Sequence, residues 1–423
     1  MMGARGRSIL VAGAIIAGLV GVGGCSTRPL RSRDGAATIS GGAGATGTGG
    51  AGATGTGCGV DGARMELIGS PLLVLDNPPV DGNLYTTLLW TGQEYLFVWR
   101  IYNGDGVLMQ RIDASGQGVG GNLRVRAYEN ACDLAWGGSR LAAAWTREKG
   151  ATTDLMFQTF DGFGRPMIDA VVLRSSPDIV IDGGVTYGPR IVSIDGGFAI
   201  AWNEGQVMVA TVDPDGKLLH EPVAAGSRVS GTPELSVTAW ANRIVVGFVD
   251  NRPVVPGSPG SVAFAITFTG DLTPLGDVSL DGEAQGGLAQ VVATGGGFLT
   301  LWAHGALPDT RVRIAHLDPT GSDVAIGEMA LPVTGAYRYL SPAAWNRDHL
   351  VVVWDGGSAG ETGLKLSRYA TNGERQGASI NVPTASPATR LYVVAHDGTV
   401  GFTWSEEVAG GYTVYFQQAR SCP

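Results

Sequence analysis

Five histidines supply the chain's only imidazoles: His220, His304, His316, His349 and His396. None is spaced from another as a metal pair, and no His-Glu-x-x-His occurs, so the sequence points to neither a zinc site nor a histidine dyad. One Gly-x-Ser-x-Gly is present, Gly356-Gly-Ser-Ala-Gly360. A nucleophile elbow requires a strand-to-helix turn with His and Asp in a matching fold, and here the segment reads as a loop between two strands. Two Gly-x-Gly-x-x-Gly matches, Gly42–Gly47 and Gly50–Gly55, lie in low-complexity sequence with no strand before them or helix after them. No cofactor and no metal are therefore expected.

What the chain does carry is a repeat. Trp99, Trp145, Trp202, Trp302, Trp354 and Trp404 each end a short apolar run, and Phe248 takes the same place in RIVVGF. Successive gaps are 46, 57, 46, 54, 52 and 50 residues, which marks one supersecondary unit copied along the chain. The remaining tryptophans, Trp90, Trp136, Trp240 and Trp345, precede these positions by eight or nine residues.

A second marker runs in phase. Each aromatic-ended run leads into another β-rich run and a turn: Asp113-Ala-Ser-Gly116, Asp161-Gly-Phe-Gly164, Asp213-Pro-Asp-Gly216, Thr267-Phe-Thr-Gly270, Asp318-Pro-Thr-Gly321 and Ala370-Thr-Asn-Gly373. Asp and Pro suit the early turn positions and Gly accepts positive φ at the end, so these are hairpin connections. Runs such as Val207-Met-Val-Ala-Thr-Val212 alternate at period two, while LVVVW is apolar throughout, as a strand covered on both faces should be. The first unit reads as strands at Tyr85–Trp90, Tyr95–Ile101, Val107–Ile112 and near Asn122–Val125.

Seven units of four antiparallel strands predict an all-β chain folded as a seven-bladed β-propeller over residues 60–423. The pattern G-x-x-[FYL]-x-[VL]-x-W followed by D-x-x-G resembles the tryptophan-bearing propeller repeats of bacterial lipoproteins and secreted proteins. It lacks the Trp-Asp and Gly-His marks of WD40 repeats, the Asp-box of sialidases, and the D-x-D-x-D-G calcium loop. The seventh unit supplies only Leu391–Ala395, Gly401–Trp404 and Thr413–Gln418 before the chain ends. Its fourth strand is expected from Glu66–Leu75, which leaves no free edge between the first and last blades.

In propellers of this kind, ligands meet the face formed by the B–C and D–A loops. The resemblance places Tyr102, Arg147, Glu204, Arg252, His304, Asp355 and Glu406 on that face, just beyond the strand-B aromatics. No consistently placed acid/base pair stands out among them. The expected function is a non-catalytic binding or scaffolding platform for protein or glycan. The alternative is a propeller hydrolase or lyase acting on polysaccharide or peptide.

Residues 1–24 read as a targeting segment, with Arg5 and Arg7 followed by the apolar run Ile9–Val22. Val22-Gly-Gly-Cys25 resembles the bacterial lipobox. That resemblance implies a diacylglycerol thioether on Cys25, cleavage before it and acylation of the new N-terminus. Ser26 replaces the aspartate of inner-membrane retention, so an outer-membrane lipoprotein of the cell envelope is expected. Residues 25–59 form a lipidated Gly/Ala/Thr-rich linker in which GAGATGTG occurs twice. Such a chain buries little and reaches about 30 Å.

The chain carries a net charge of −9. Removing Arg5 and Arg7, and the net two positive charges of Arg28, Arg31 and Arg33 against Asp34, leaves −13 on residues 60–423. An acidic domain repels phosphate, so no nucleic-acid partner is expected, and the protein is expected to be a monomer. Cys58 and Cys422 flank the cut ends of the hairpin that closes blade 7, and a disulfide between them would replace the turn found in the other units. Cys132 falls in a first strand and reads as a small buried hydrophobe.

Overall fold

A computed structural model describes residues 65–76, 84–101, 107–126, 132–180, 188–226, 235–250, 261–284, 290–304, 311–321, 323–329, 331, 343–355, 363–408 and 411–422. These residues form seven antiparallel sheets of four strands. Blade 1 runs Leu84–Trp90, Glu94–Ile101, Val107–Asp113 and Gly118–Arg126 in that spatial order. Blades 2 to 6 repeat it, with first strands Cys132–Gly137, Arg190–Ile194, Leu235–Trp240, Gln290–Ala293 and Ala343–Asn346. Each first strand packs on the first strand of the next blade, and that of blade 7, Ala388–His396, packs on Leu84–Trp90, so the ring closes.

Blade 7 is built from both ends of the described chain. Ala388–His396, Thr399–Val408 and Gly411–Ser421 are followed in space by Met65–Leu75, which pairs antiparallel with Gly411–Ser421. The register runs from Met65 opposite Ser421 to Leu75 opposite Val414. The expected closing strand is thus present. It bends between Ile68 and Leu72, where the pairing shifts; Gly69 in that stretch has φ +66°, a conformation glycine adopts without strain.

The core lies in the seams. Seven buried clusters each join two adjacent blades, the last joining Tyr95, Phe97 and Trp99 of blade 1 to Val414 and Phe416 of blade 7. All seven strand-B aromatics are buried, from Trp302 at 0 % to Trp354 at 6 % exposed. The second strand of blade 3, Gly197–Asn203, is buried along its whole length, which is why these runs carry no polar alternation. Cys132 begins the first strand of blade 2 and packs, partly buried, on the cluster between blades 1 and 2.

The Asp-x-x-Gly turns form as their chemistry requires. In the first, the Asp113 carboxylate accepts the N–H of Ser115 and Gln117, and Gly116 takes φ +85°. The fourth turn departs from the expected Thr267–Gly270. It runs two residues later, from Thr269 to Leu272: Leu272 N–H donates to Thr269 O at 2.9 Å, the Thr269 hydroxyl accepts from Thr273 N–H, and Leu272 takes φ +65°. Leu272 tolerates this strained backbone because its side chain is buried in the seam between blades 3 and 4.

Candidate channel-mouth site

Among the described residues, strand pairing selects one residue in each of six blades at a common level of the innermost strands. The residue opposite the one preceding each strand-B aromatic is Thr87 in blade 1, Asp133 in blade 2, Arg190 in blade 3, Ser236 in blade 4, Gln290 in blade 5 and Tyr392 in blade 7. All six are polar. Asp133, Arg190, Ser236 and Gln290 stand first or second in their strands, and Thr87 and Tyr392 stand mid-strand.

Four of them bracket the next blade in succession. The Asp133 carboxylate accepts Ile191 N–H at 3.0 Å. Arg190 Nε donates to Leu235 O at 3.0 Å. Ser236 Oγ accepts Val291 N–H at 3.0 Å. Gln290 both accepts Ala343 N–H at 3.2 Å and donates to Ala343 O at 3.1 Å. Innermost strands have no further neighbour in their own sheet, so these side chains satisfy backbone groups that would otherwise be unpaired.

Tyr392 has Arg190, Asp133 and Arg390 within electrostatic reach and Thr86 beside its hydroxyl. Burial drives the Asp133 carboxyl above the usual carboxylate range, against the opposing pull of Arg190. Burial likewise raises the Tyr392 phenol. Both shifts favour the uncharged form of the group. Close by, on the same face of blade 7, the Arg390 guanidinium lies 4.1 Å over the partly buried Tyr412 ring. Arg390 is held at φ +50°, an uncommon conformation for its type.

Of the seven residues expected on the ligand face, Tyr102 and Arg252 fall outside the described residues, as do Cys25 and Cys58. His304 and Asp355 end the second strands of blades 5 and 6, Phe298–His304 and His349–Asp355. The other three are engaged in the fold. Glu204 accepts Trp202 Nε1–H at 3.1 Å and pairs with Arg174 at 2.8 Å. Glu406 accepts Trp404 Nε1–H at 2.9 Å and Ala385 N–H at 3.0 Å. Arg147 pairs at 2.8 Å with Asp154, whose side chain is 1 % exposed. Burial alone would raise the Glu204 carboxyl, but the bonds from Arg174 and Trp202 prevail and hold it below its usual range. A glutamate two residues past a buried tryptophan thus serves as the indole's hydrogen-bond partner in two blades.

The sequence reasoning missed Asp133, Arg190, Tyr392, Arg390 and Tyr412. The first three share a register position and no residue type, so only strand pairing reveals them.

No protein-family model matches this chain. No curated protein matches it either. Solved structures do. A chain from a study of two prolyl endopeptidases aligns with 77 % of this chain at 15 % identity and a TM-score of 0.41. This chain spans about half of that protein's length, 47 %. The polysaccharide lyase Uly1 aligns with 83 % of this chain and 92 % of its own, at 9 % identity and a TM-score of 0.46. At such identities and scores the likeness says nothing of activity.

Proposed function

We propose that this protein is a lipid-anchored envelope protein whose propeller acts as a non-catalytic binding platform for protein or glycan. The ligand sits over the channel mouth beside Arg390, Tyr392 and Tyr412. The observation that carries the reading is the engagement of the polar groups there. Asp133, Arg190, Ser236 and Gln290 fasten neighbouring blades, and Glu204, Glu406 and Arg147 fasten their own surroundings. A frame fixed in this way holds a surface rigid for recognition. An aromatic ring and a guanidinium at the rim supply the stacking and hydrogen-bonding contacts that sugars and peptides use.

One observation favours the alternative. The Asp133 carboxyl and the Tyr392 phenol lie within electrostatic reach of each other and of Arg190, groups of the kind a hydrolase or lyase uses as acid and charge stabiliser. Asp133 already accepts a backbone N–H, and Tyr392 is driven away from ionisation, so binding is the better reading. The experiment is to incubate the full-length protein with size-defined neutral polysaccharides and peptides while measuring retention and product mass together. Binding with unchanged polymer mass agrees with the platform. New reducing ends, unsaturated ends or shortened peptides refute it.

The anchor and linker complete the proposal. A lipid on Cys25 and a reach of about 30 Å would let the platform reorient at the outer membrane. The proposed Cys58–Cys422 disulfide would join the two chain ends beside the closing strand. In support, Cys422 is 4 % exposed and follows directly on the Met65–Ser421 pair.

A further inference from the structure

Blade 7 is the split blade, and each of its two seams carries a histidine contact beside its apolar cluster. At the seam with blade 6, His349 Nε2 lies 2.9 Å from Ser421 Oγ. At the seam with blade 1, His396 Nε2 lies 2.5 Å from the Tyr95 hydroxyl. In blades 2 and 4 the residue that takes His349's place at the start of the second strand is an arginine. Arg140 of blade 2 reaches Pro214 O at 3.0 Å and Asp215 at 2.8 Å in blade 3. Arg243 of blade 4 reaches Pro319 O at 3.2 Å in blade 5. His220, by contrast, bonds Thr211 within its own blade.

The two histidine contacts share a polarity. Ser421 Oγ already accepts from Asn346 Nδ2 at 3.2 Å, and the Tyr95 hydroxyl already accepts from Gln418 Nε2 at 3.2 Å. At His349 the ring sets the direction: Nδ1–H donates to the Asp348 carboxylate at 2.7 Å, so the neutral ring leaves Nε2 bare to accept the Ser421 hydroxyl proton, and a neutral His396 takes the Tyr95 proton in the same sense. A second proton on either ring removes that acceptor and forces the hydroxyl to turn its own proton elsewhere. We propose that protonation of His349 and His396 releases blade 7 from both neighbours, so that the ring loosens in mild acid at the blade where the chain ends meet.

The surroundings set the strength of each contact. His349, 1 % exposed, faces Asp348 at 2.7 Å and Arg347 on its own turn, and Arg368 Nη2 at 3.2 Å from the third strand of blade 6. Arg368 is itself 9 % exposed, and its Nε and Nη1 have no partner among the described residues. An imidazolium there meets a buried cation on one side and the exposed Asp348 carboxylate on the other. Beyond Ser421 on the blade 7 side lies the Arg420–Glu66 ion pair. His396 faces Tyr95 and its own neighbour Asp397, and stacks on Trp90 at 3.5 Å with a 6° interplanar angle. The stack favours a charged ring; burial opposes it. Burial is the largest influence on both rings and lowers the proton affinity of each.

The sign follows. A histidine whose folded pKa lies below its unfolded value of about 6.5 contributes stability that is complete above that value and is lost as pH falls below it. The test is hydrogen exchange of the full-length, oxidised protein at pH 7.5 and pH 5, corrected for intrinsic rates. Exchange in Thr399–Ser421 should accelerate in acid several-fold more than in Gly197–Asn203 of blade 3. The double variant His349→Gln, His396→Gln should keep the hydroxyl contacts and lose the difference between blades. Equal acid responses of blades 7 and 3 in the unaltered protein would overturn the proposal. So would a blade 7 response that persists in the double variant. The comparison within the unaltered protein decides the matter even if the variant does not fold.

Discussion

Met65 pairs with Ser421, so the first and last described strands share one sheet. Every seam of the ring matters to closure, but this one depends on paired residues 339 to 356 positions apart in sequence, from Leu75–Val414 to Met65–Ser421. Deleting residues 65–75 should expose the edge of Gly411–Ser421 and uncover Val414 and Phe416. The expected outcome is a large loss of thermal stability with aggregation, read by scanning calorimetry and light scattering. A monomer with an unchanged melting profile would contradict the closure scheme.

The proposed Cys58–Cys422 bond should stabilise the same junction. Closing a loop of this length contributes on the order of 5 kcal/mol in the chain-entropy description, and less if the bond is strained. Cys422→Ser should lower the melting temperature and open the segment near residues 65–75 to protease. Non-reducing peptide mapping checks the pairing directly, and two free thiols in oxidised protein would refute it.

Glu204 separates a structural role from a ligand role. Its side chain is 8 % exposed and takes bonds from Trp202 and Arg174. Glu204→Ala should cost about 1–2 kcal/mol, discounted because Arg174 is half exposed. Its folded pKa is depressed, so this contribution is present above the unfolded carboxylate value and is lost as pH falls through the folded one. Denaturant titration at pH 7 and pH 3 measures it. A variant that melts like the parent but loses ligand would show that Glu204 faces the ligand after all.

Asp133 carries the opposite sign. Burial raises its folded pKa, so its ionisation opposes folding as pH rises. Asp133→Asn keeps an acceptor for Ile191 N–H and removes the charge, and should be neutral or stabilising at pH 8. Asp133→Ala leaves that N–H unpaired and should cost about 1–3 kcal/mol. Equal losses in both variants at pH 8 would show that the carboxylate itself is needed.

Much of this architecture was legible before any coordinates. The strand-B aromatics fixed the blade count, because seven large side chains in phase must fill seven equivalent seams. The missing fourth strand of the last unit pointed to Glu66–Leu75, because an open blade leaves an edge. The fourth turn was misplaced by two residues: Gly270 drew the assignment, while Leu272 takes the positive φ with its side chain anchored in the core. The bracket ring was not legible. Asp133, Arg190, Ser236 and Gln290 perform one task with four side-chain chemistries, and sequence periodicity cannot see a task shared without a shared residue type. The roles of Glu204 and Glu406 were within reach, since each stands two residues after a tryptophan whose indole N–H needs a buried acceptor.

Cys25→Ser should convert the protein from a detergent-extracted membrane component to a soluble one. Mass spectrometry of the mature protein should show an acylated Cys25 at its N-terminus. An unaltered membrane fraction for the variant would rule out the lipid anchor.

The platform itself is tested most directly by calorimetric titration of the full-length protein with size-defined neutral polysaccharides and peptides, with product mass followed in the same samples. The account predicts that at least one of them binds and is recovered intact. It also predicts that Tyr412→Ala, at the rim beside Arg390, weakens that binding about tenfold or more when measured well below the variant's melting temperature, which itself falls because the ring packs on the seam between blades 7 and 1. Turnover of the bound polymer, or binding indifferent to Tyr412→Ala, would contradict it.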